Sequence, residues 1–131
     1  MGLKPRRTSI PPESNEAFDL LRQVCAELPG VEETWAWGHP NFAAGDPPRH
    51  FACFERSKGA WVCAVRVGPE LRDALLAEGA PYCPVPYDRT GVWLGIAADK
   101  LDRGRLRSLV AEAHAAVTAG AKPTRAPRAR R

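Results

Sequence analysis

Eight side chains in this chain stand out for the chemistry they can do: Trp35, Trp37, His39, His50, Tyr82, Tyr87, Arg89 and Trp93. Two of the four tryptophans lie within three residues of each other, beside Gly38-His39-Pro40. Histidine changes charge near neutral pH, and a neighbouring proline in a turn would fix the direction of its ring. Together with Arg89 and the nearby aromatic rings, His39 could hold an anion or stack a planar base. This defines a candidate ligand pocket of Trp37, His39, Arg89 and Trp93. The competing reading has His39 bonded to the backbone of its own turn and the tryptophans filling the core.

Catalytic signals are weak. Glu32 and Glu33 are adjacent, so on a strand they face opposite ways and cannot form a carboxylate dyad. The chain has no glycine-rich phosphate loop, no Gly-x-Ser-x-Gly and no His-Glu-x-x-His. Asp88-Arg89 and Asp102-Arg103 read as surface charge. The cysteines at 25, 53, 63 and 83 include no Cys-x-x-Cys pair, and nothing in the sequence places a base beside their sulfurs. Cys25 falls on the apolar stripe of an expected helix. A hairpin centred on Lys58 would set Cys53 opposite Cys63, as two buried thiols lining one core face. The expectation is a non-enzymatic protein with no catalytic residues, no metal ligands and no cofactor.

Charge points in another direction. Eight of the 19 basic residues lie in the first ten and last ten positions, which hold no acid. They are Lys4, Arg6, Arg7, Lys122, Arg125, Arg128, Arg130 and Arg131. That leaves 11 basic against all 15 acidic residues in 11–121, so the body is mildly acidic and the net +4 comes from two arms. Both arms contain proline and lack apolar periodicity, which predicts disorder in solution. Cationic arms neutralise phosphates by counterion release, with little sequence preference; the alternative is a solubilising tail with no partner. On the body, Arg49 and Arg89, with Arg56, Lys58 and Arg66, could extend a cationic patch.

The elements that must position these residues follow from periodicity. Phe18, Leu21, Cys25 and Leu28 predict a helix from about Ser14, its N-cap, to Leu28, with Pro29-Gly30 ending it. Val31 to Trp37 and Asn41 to Ala44 read as strands around a Gly38-His39-Pro40 turn. Phe51 to Glu55 and Ala60 to Val67 read as a hairpin. Pro69 opens a second helix that Gly79 stops. Residues 79–90, with three prolines, read as an ordered loop with at most a short edge strand, and Gly91 to Ile96 as the last strand. Asp99 is the expected cap of a third helix that buries Leu106, Leu109, Val110, Ala113 and Val117 and ends at Gly120.

The domain reading is a basic arm at 1–12, one α+β domain at 13–120 and a basic tail at 121–131. The domain is expected to have two layers, with one twisted antiparallel sheet and three helices in the order α-β(3–4)-α-β(1–2)-α. At 44% hydrophobic and 26% charged residues, the chain is not wholly disordered. No stretch approaches the ~20 apolar residues of a membrane span. Pro11-Pro12-Glu13 occupies the place of a signal peptide's apolar run, so a cytoplasmic protein is expected.

Three blocks carry a resemblance. They are Leu28-Pro29-Gly30 through Gly38-His39-Pro40-Asn41-Phe42, Val65-Arg66-Val67-Gly68-Pro69-Glu70-Leu71-Arg72, and Pro86-Tyr87-Asp88-Arg89-Thr90-Gly91-Val92-Trp93-Leu94. Residues 14–119 resemble the MmcQ/YjbR-like family of small bacterial proteins, whose architecture is similar to that of type III secretion chaperones. The resemblance implies that fold and a DNA-binding accessory role, with no catalytic residues to carry over. The chain departs from the family pattern at Ala43–His50, which is longer and carries two prolines, with Arg49 standing in for the usual lysine. Sequence-independent DNA binding through the arms is therefore the first expectation. A protein- or peptide-binding module, or a homodimer, is the alternative.

Overall fold

The computed structural model describes residues 16–121 except Lys58 and Tyr87. The expectations for the two arms and for Ser14 lie outside the described residues. Helix α1 (Glu16–Ala26) leads into strands β1 (Glu32–Ala36), β2 (His39–Ala44), β3 (Arg49–Ser57) and β4 (Ala60–Arg66). Helix α2 (Pro69–Glu78), strands β5 (Tyr82–Pro84) and β6 (Trp93–Ala97), a 3₁₀ turn (Ala98–Lys100) and helix α3 (Arg103–Ala121) complete the order. The strands form one antiparallel sheet in the order β1-β2-β3-β4-β6-β5. This is the expected α+β architecture.

The amphipathic stripes decide the layering. Phe18, Leu21, Val24 and Cys25 of α1 and Leu106, Leu109, Val110, Ala113 and Val117 of α3 are buried in one cluster. The strands contribute Phe42, Phe51, Phe54, Val65 and Leu94 to the same cluster, and α2 adds Leu75. All three helices therefore serve one face of the sheet. Each fully buried Leu or Phe stabilises this layer by about 1.5–3 kcal/mol. On the other face, Cys53, Ala64 and Val85 form a small second cluster with Trp93 beside it. Among the described residues no helix contributes to that cluster, and Val85 brings it the loop after β5.

A bulge in β3 sorts its residues between the faces. Phe42 pairs with Ala52 but Ala43 pairs with His50, so Phe51 is the extra residue. Phe51, Ala52 and Phe54 join the helix-side core, whereas His50, Cys53 and Glu55 line the opposite face. Simple alternation would have put Phe51 beside Cys53.

Three local expectations need correction. The first turn is Trp37-Gly38, and His39 and Pro40 belong to β2, paired with Ala36 and Trp35. Pro40 is tolerated there because the ladder to β3 begins only at Asn41. Second, Cys53 pairs with Ala64, and Cys63 with Phe54. The β3–β4 connection has two residues, with Gly59 at φ +83, so the register shifts by one and the thiols face opposite ways. Third, Asp99 lies in the 3₁₀ turn, and Asp102 caps α3 by accepting the Arg105 N–H at 2.8 Å. The helix begins four residues later than Asp99 because that tight turn intervenes.

Candidate functional site

The site is built on the sheet face opposite the helices, around the first hairpin. Trp37 and Gly38 both have positive φ, at 56° and 83°. This is the twist a two-residue hairpin demands, and asparagine is the usual residue in the first place. Here a tryptophan occupies it, 76% exposed, with its ring edge-on to His50 at 5.7 Å between centroids. Trp35 is also exposed. Asn41, 3% exposed, donates from Nδ2 to the Ala36 and His39 carbonyls and so ties the ends of the turn together.

His39 projects from β2 toward Glu55 on β3. The Asn41↔Cys53 pairing, continued by two residues along each strand, sets the two side chains opposite each other. His39 Nδ1 donates to the Pro40 carbonyl at 3.3 Å, and Nε2 lies 3.4 Å from Glu55 Oε1. Cys53 completes a cluster in which one donor atom from each residue lies within 4.8 Å of the others. Cys53 and Glu55 are buried, and His39 is half-buried.

These residues sit in a cleft of about 730 Å³. Trp37, His50, Trp61, Trp93 and Arg56 form other parts of its wall. The Arg56 guanidinium lies 5.2 Å from the Trp61 ring centroid and also donates to the Gly59 carbonyl. The wall is thus aromatic, with a carboxylate, a thiol and an imidazole converging at one end. A larger, shallower depression of about 1040 Å³ beside α1 is lined mostly by alanines, leucines and prolines and holds no such cluster.

The loop before β6 positions Trp93. Asp88 accepts from the backbone N–H groups of Trp93 (2.9 Å), Thr90 (2.9 Å) and Gly91 (3.1 Å) and from the Thr90 hydroxyl (2.7 Å). Its side chain is 1% exposed, with Arg72 Nε 3.8 Å away. Desolvation opposes its charge, but these hydrogen bonds outweigh that and hold the carboxyl below its ordinary value. Asp88 is therefore the organiser of a loop and not the surface charge expected of it. Arg72 also donates to the Trp93 carbonyl at 3.0 Å, fixing β6 to α2.

Of the four expected pocket residues, Trp37, His39 and Trp93 line one cleft. Arg89 is exposed on the loop, outside the cleft wall. Arg49 is exposed at the start of β3. The expected arm residues, from Lys4, Arg6 and Arg7 to Lys122, Arg125, Arg128, Arg130 and Arg131, lie outside the described residues. The tryptophans at 35 and 37 do not fill the core, and His39 bonds more than backbone.

Sequence reasoning missed Cys53 and Glu55. Their signal was the spacing: two residues apart on a strand share a face. Burial pushes the Cys25 thiol up to about 12, with Glu33 adding to it, and pushes Cys63 well above its ordinary value. Those two sulfurs are core atoms.

None of the described helices is long and apolar enough to cross a membrane. The fold is similar to that of the Deinococcus radiodurans protein DR2400, a crystal structure with a DUF419 domain. The two share 24% identity at a TM-score of 0.67, over 76% of this chain and 77% of that one. A Pseudomonas syringae protein is similar at 15% identity and a TM-score of 0.57, over 66% of this chain and 86% of its own. No curated protein matches the chain. The YjbR family model matches residues 26–116, the span that holds the whole cleft, and the chain belongs to the YjbR family.

Proposed function

We propose that this chain is a non-enzymatic DNA-binding protein that stacks an unpaired base at the cleft and uses its basic arms to hold phosphates. The observation that carries this reading is Trp37. A tryptophan held at positive φ, 76% exposed, at the rim of an aromatic cleft is a costly arrangement for stability. It makes sense as a stacking platform, where a base on an aromatic ring contributes about 1–3 kcal/mol. Arg56 on Trp61 adds a cation within the same wall. The eight arm cations supply affinity that carries no sequence information.

The test uses the full chain and a short fluorescent oligothymidine, titrated at several salt concentrations. Affinity should fall steeply with salt. Trp37→Ala should weaken binding about tenfold with little change in salt slope. Replacing the arm lysines and arginines by glutamine should flatten the slope. Binding that neither change affects would overturn the reading.

A second reading rests on β1. Among the described residues this edge strand pairs only with β2, and it is exposed along most of its length. It offers backbone groups to an added strand from a partner or a second copy. A concentration-dependent dimer in light scattering, lost on Trp35→Pro, would support it; a monomer at all concentrations would count against self-pairing.

A further inference from the structure

We propose that His39, Cys53 and Glu55 form a zinc-type metal site whose fourth position opens into the cleft. This goes beyond DNA binding and stands on different observations.

The first is the donor set. One imidazole nitrogen, one sulfur and one carboxylate oxygen converge within 4.8 Å. Calcium and magnesium need several oxygen ligands, and only one carboxylate is present here. Nitrogen and sulfur donors select a borderline or soft ion, of which zinc accepts all three ligand types.

The second is the orientation of His39. Nδ1 donates to the Pro40 carbonyl, which turns Nε2 toward Glu55 Oε1 at 3.4 Å. A ring nitrogen whose partner nitrogen donates to a backbone carbonyl is the arrangement that orients histidine for a metal.

The third is spacing. Tetrahedral coordination at zinc bond lengths separates ligand atoms by roughly 3.3–3.6 Å. The His39–Glu55 separation of 3.4 Å already meets this. Cys53 Sγ lies within 4.8 Å of both, so closure needs a shift of about 1 Å, within reach of a side-chain rotation. All three residues stand on adjacent strands β2 and β3, which hold them more firmly than loops would. Three protein ligands leave one position for water or for an anionic group of a molecule in the cleft.

The experiment titrates the full-length, reduced and chelator-treated chain with Co²⁺ and then Zn²⁺. One Co²⁺ per chain should bind with tetrahedral visible bands and a thiolate-to-cobalt charge-transfer band, and Zn²⁺ should displace it. Cys53→Ser should abolish the charge-transfer band, and His39→Gln and Glu55→Gln should each weaken binding at least tenfold. Cys83→Ser should leave the spectrum intact. X-ray absorption on the zinc-loaded native chain should find one sulfur among nitrogen and oxygen ligands, independently of how any variant folds. The proposal is overturned by an absence of saturable binding, by a sulfur count other than one, or by a band that survives Cys53→Ser.

Discussion

His114 on α3 donates from Nε2 to the Pro29 carbonyl at 2.8 Å, closing a loop of 85 residues between the last helix and the turn after the first. Its ring also meets Phe51 edge-on at 5.7 Å between centroids. The bulged residue of β3, the third helix and the Pro29-Gly30 turn thus meet at one side chain.

His114→Ala should lower stability by about 1–2 kcal/mol, from a lost hydrogen bond and a lost aromatic contact. In urea unfolding the midpoint should fall while the m-value stays the same. A midpoint equal to that of the native chain would show that the contact contributes nothing.

Asp88 predicts an acid response. Its carboxyl is held below the ordinary value in the folded chain, so the stability it contributes is fully present above the unfolded value, near pH 4. That contribution is lost as pH falls through the lower folded value. Asp88→Asn should cost about 2 kcal/mol at neutral pH, since an amide nitrogen would face backbone donors. It should also flatten the decline in thermal midpoint below about pH 4. An unchanged acid limb in the variant would assign that limb to other groups.

Gly45 and Gly59 form a natural pair of controls. Both have positive φ, but a Cβ on Gly45 would meet the Val117 carbonyl of α3 at 2.8 Å, whereas a Cβ on Gly59 would meet nothing within 4 Å. Gly59→Ala should cost about 1–2 kcal/mol from backbone strain alone. Gly45→Ala should cost about 2–4 kcal/mol because the clash adds to the strain. Equal melting temperatures for the two variants would mean that α3 yields at Val117.

Trp37→Asn should move stability and binding in opposite directions. Asparagine tolerates the left-handed region, so thermal stability should rise by about 0.5–1 kcal/mol. Oligothymidine affinity should fall in the same variant. A protein both less stable and equally able to bind would assign Trp37 to packing.

The helices and most strands were legible because each carries one strong period. Leu106, Leu109, Val110, Ala113 and Val117 recur at helical spacing and are all buried. Trp61, Cys63 and Val65 alternate and share the helix-side cluster. Register was less legible, because it depends on turn length: a two-residue connection at 58 and 59 separates Cys53 from Cys63, where a turn centred on Lys58 would have joined them. The bulge at Phe51 had no local signal, since a phenylalanine suits either face of a strand. The cleft was legible in part. Trp37, His39 and Trp93 come together, but Arg89 does not. The His39–Cys53–Glu55 cluster became visible only once β2 and β3 were placed side by side. Asp88 was misread because adjacent opposite charges suggest solvent, whereas backbone donors of its own loop enclose it.

The described helices cover the same side of the sheet, and the cleft takes His39, Cys53, Glu55 and Trp93 from the other, with Trp61 of the helix-side cluster also on its wall. Neighbouring positions along β2 and β3 therefore answer to separate demands. An alteration at His50 or Cys53 can change the cleft wall without touching Phe42 or Phe54 of the core. Such an architecture lets the cavity diverge while descendants inherit an unaltered scaffold.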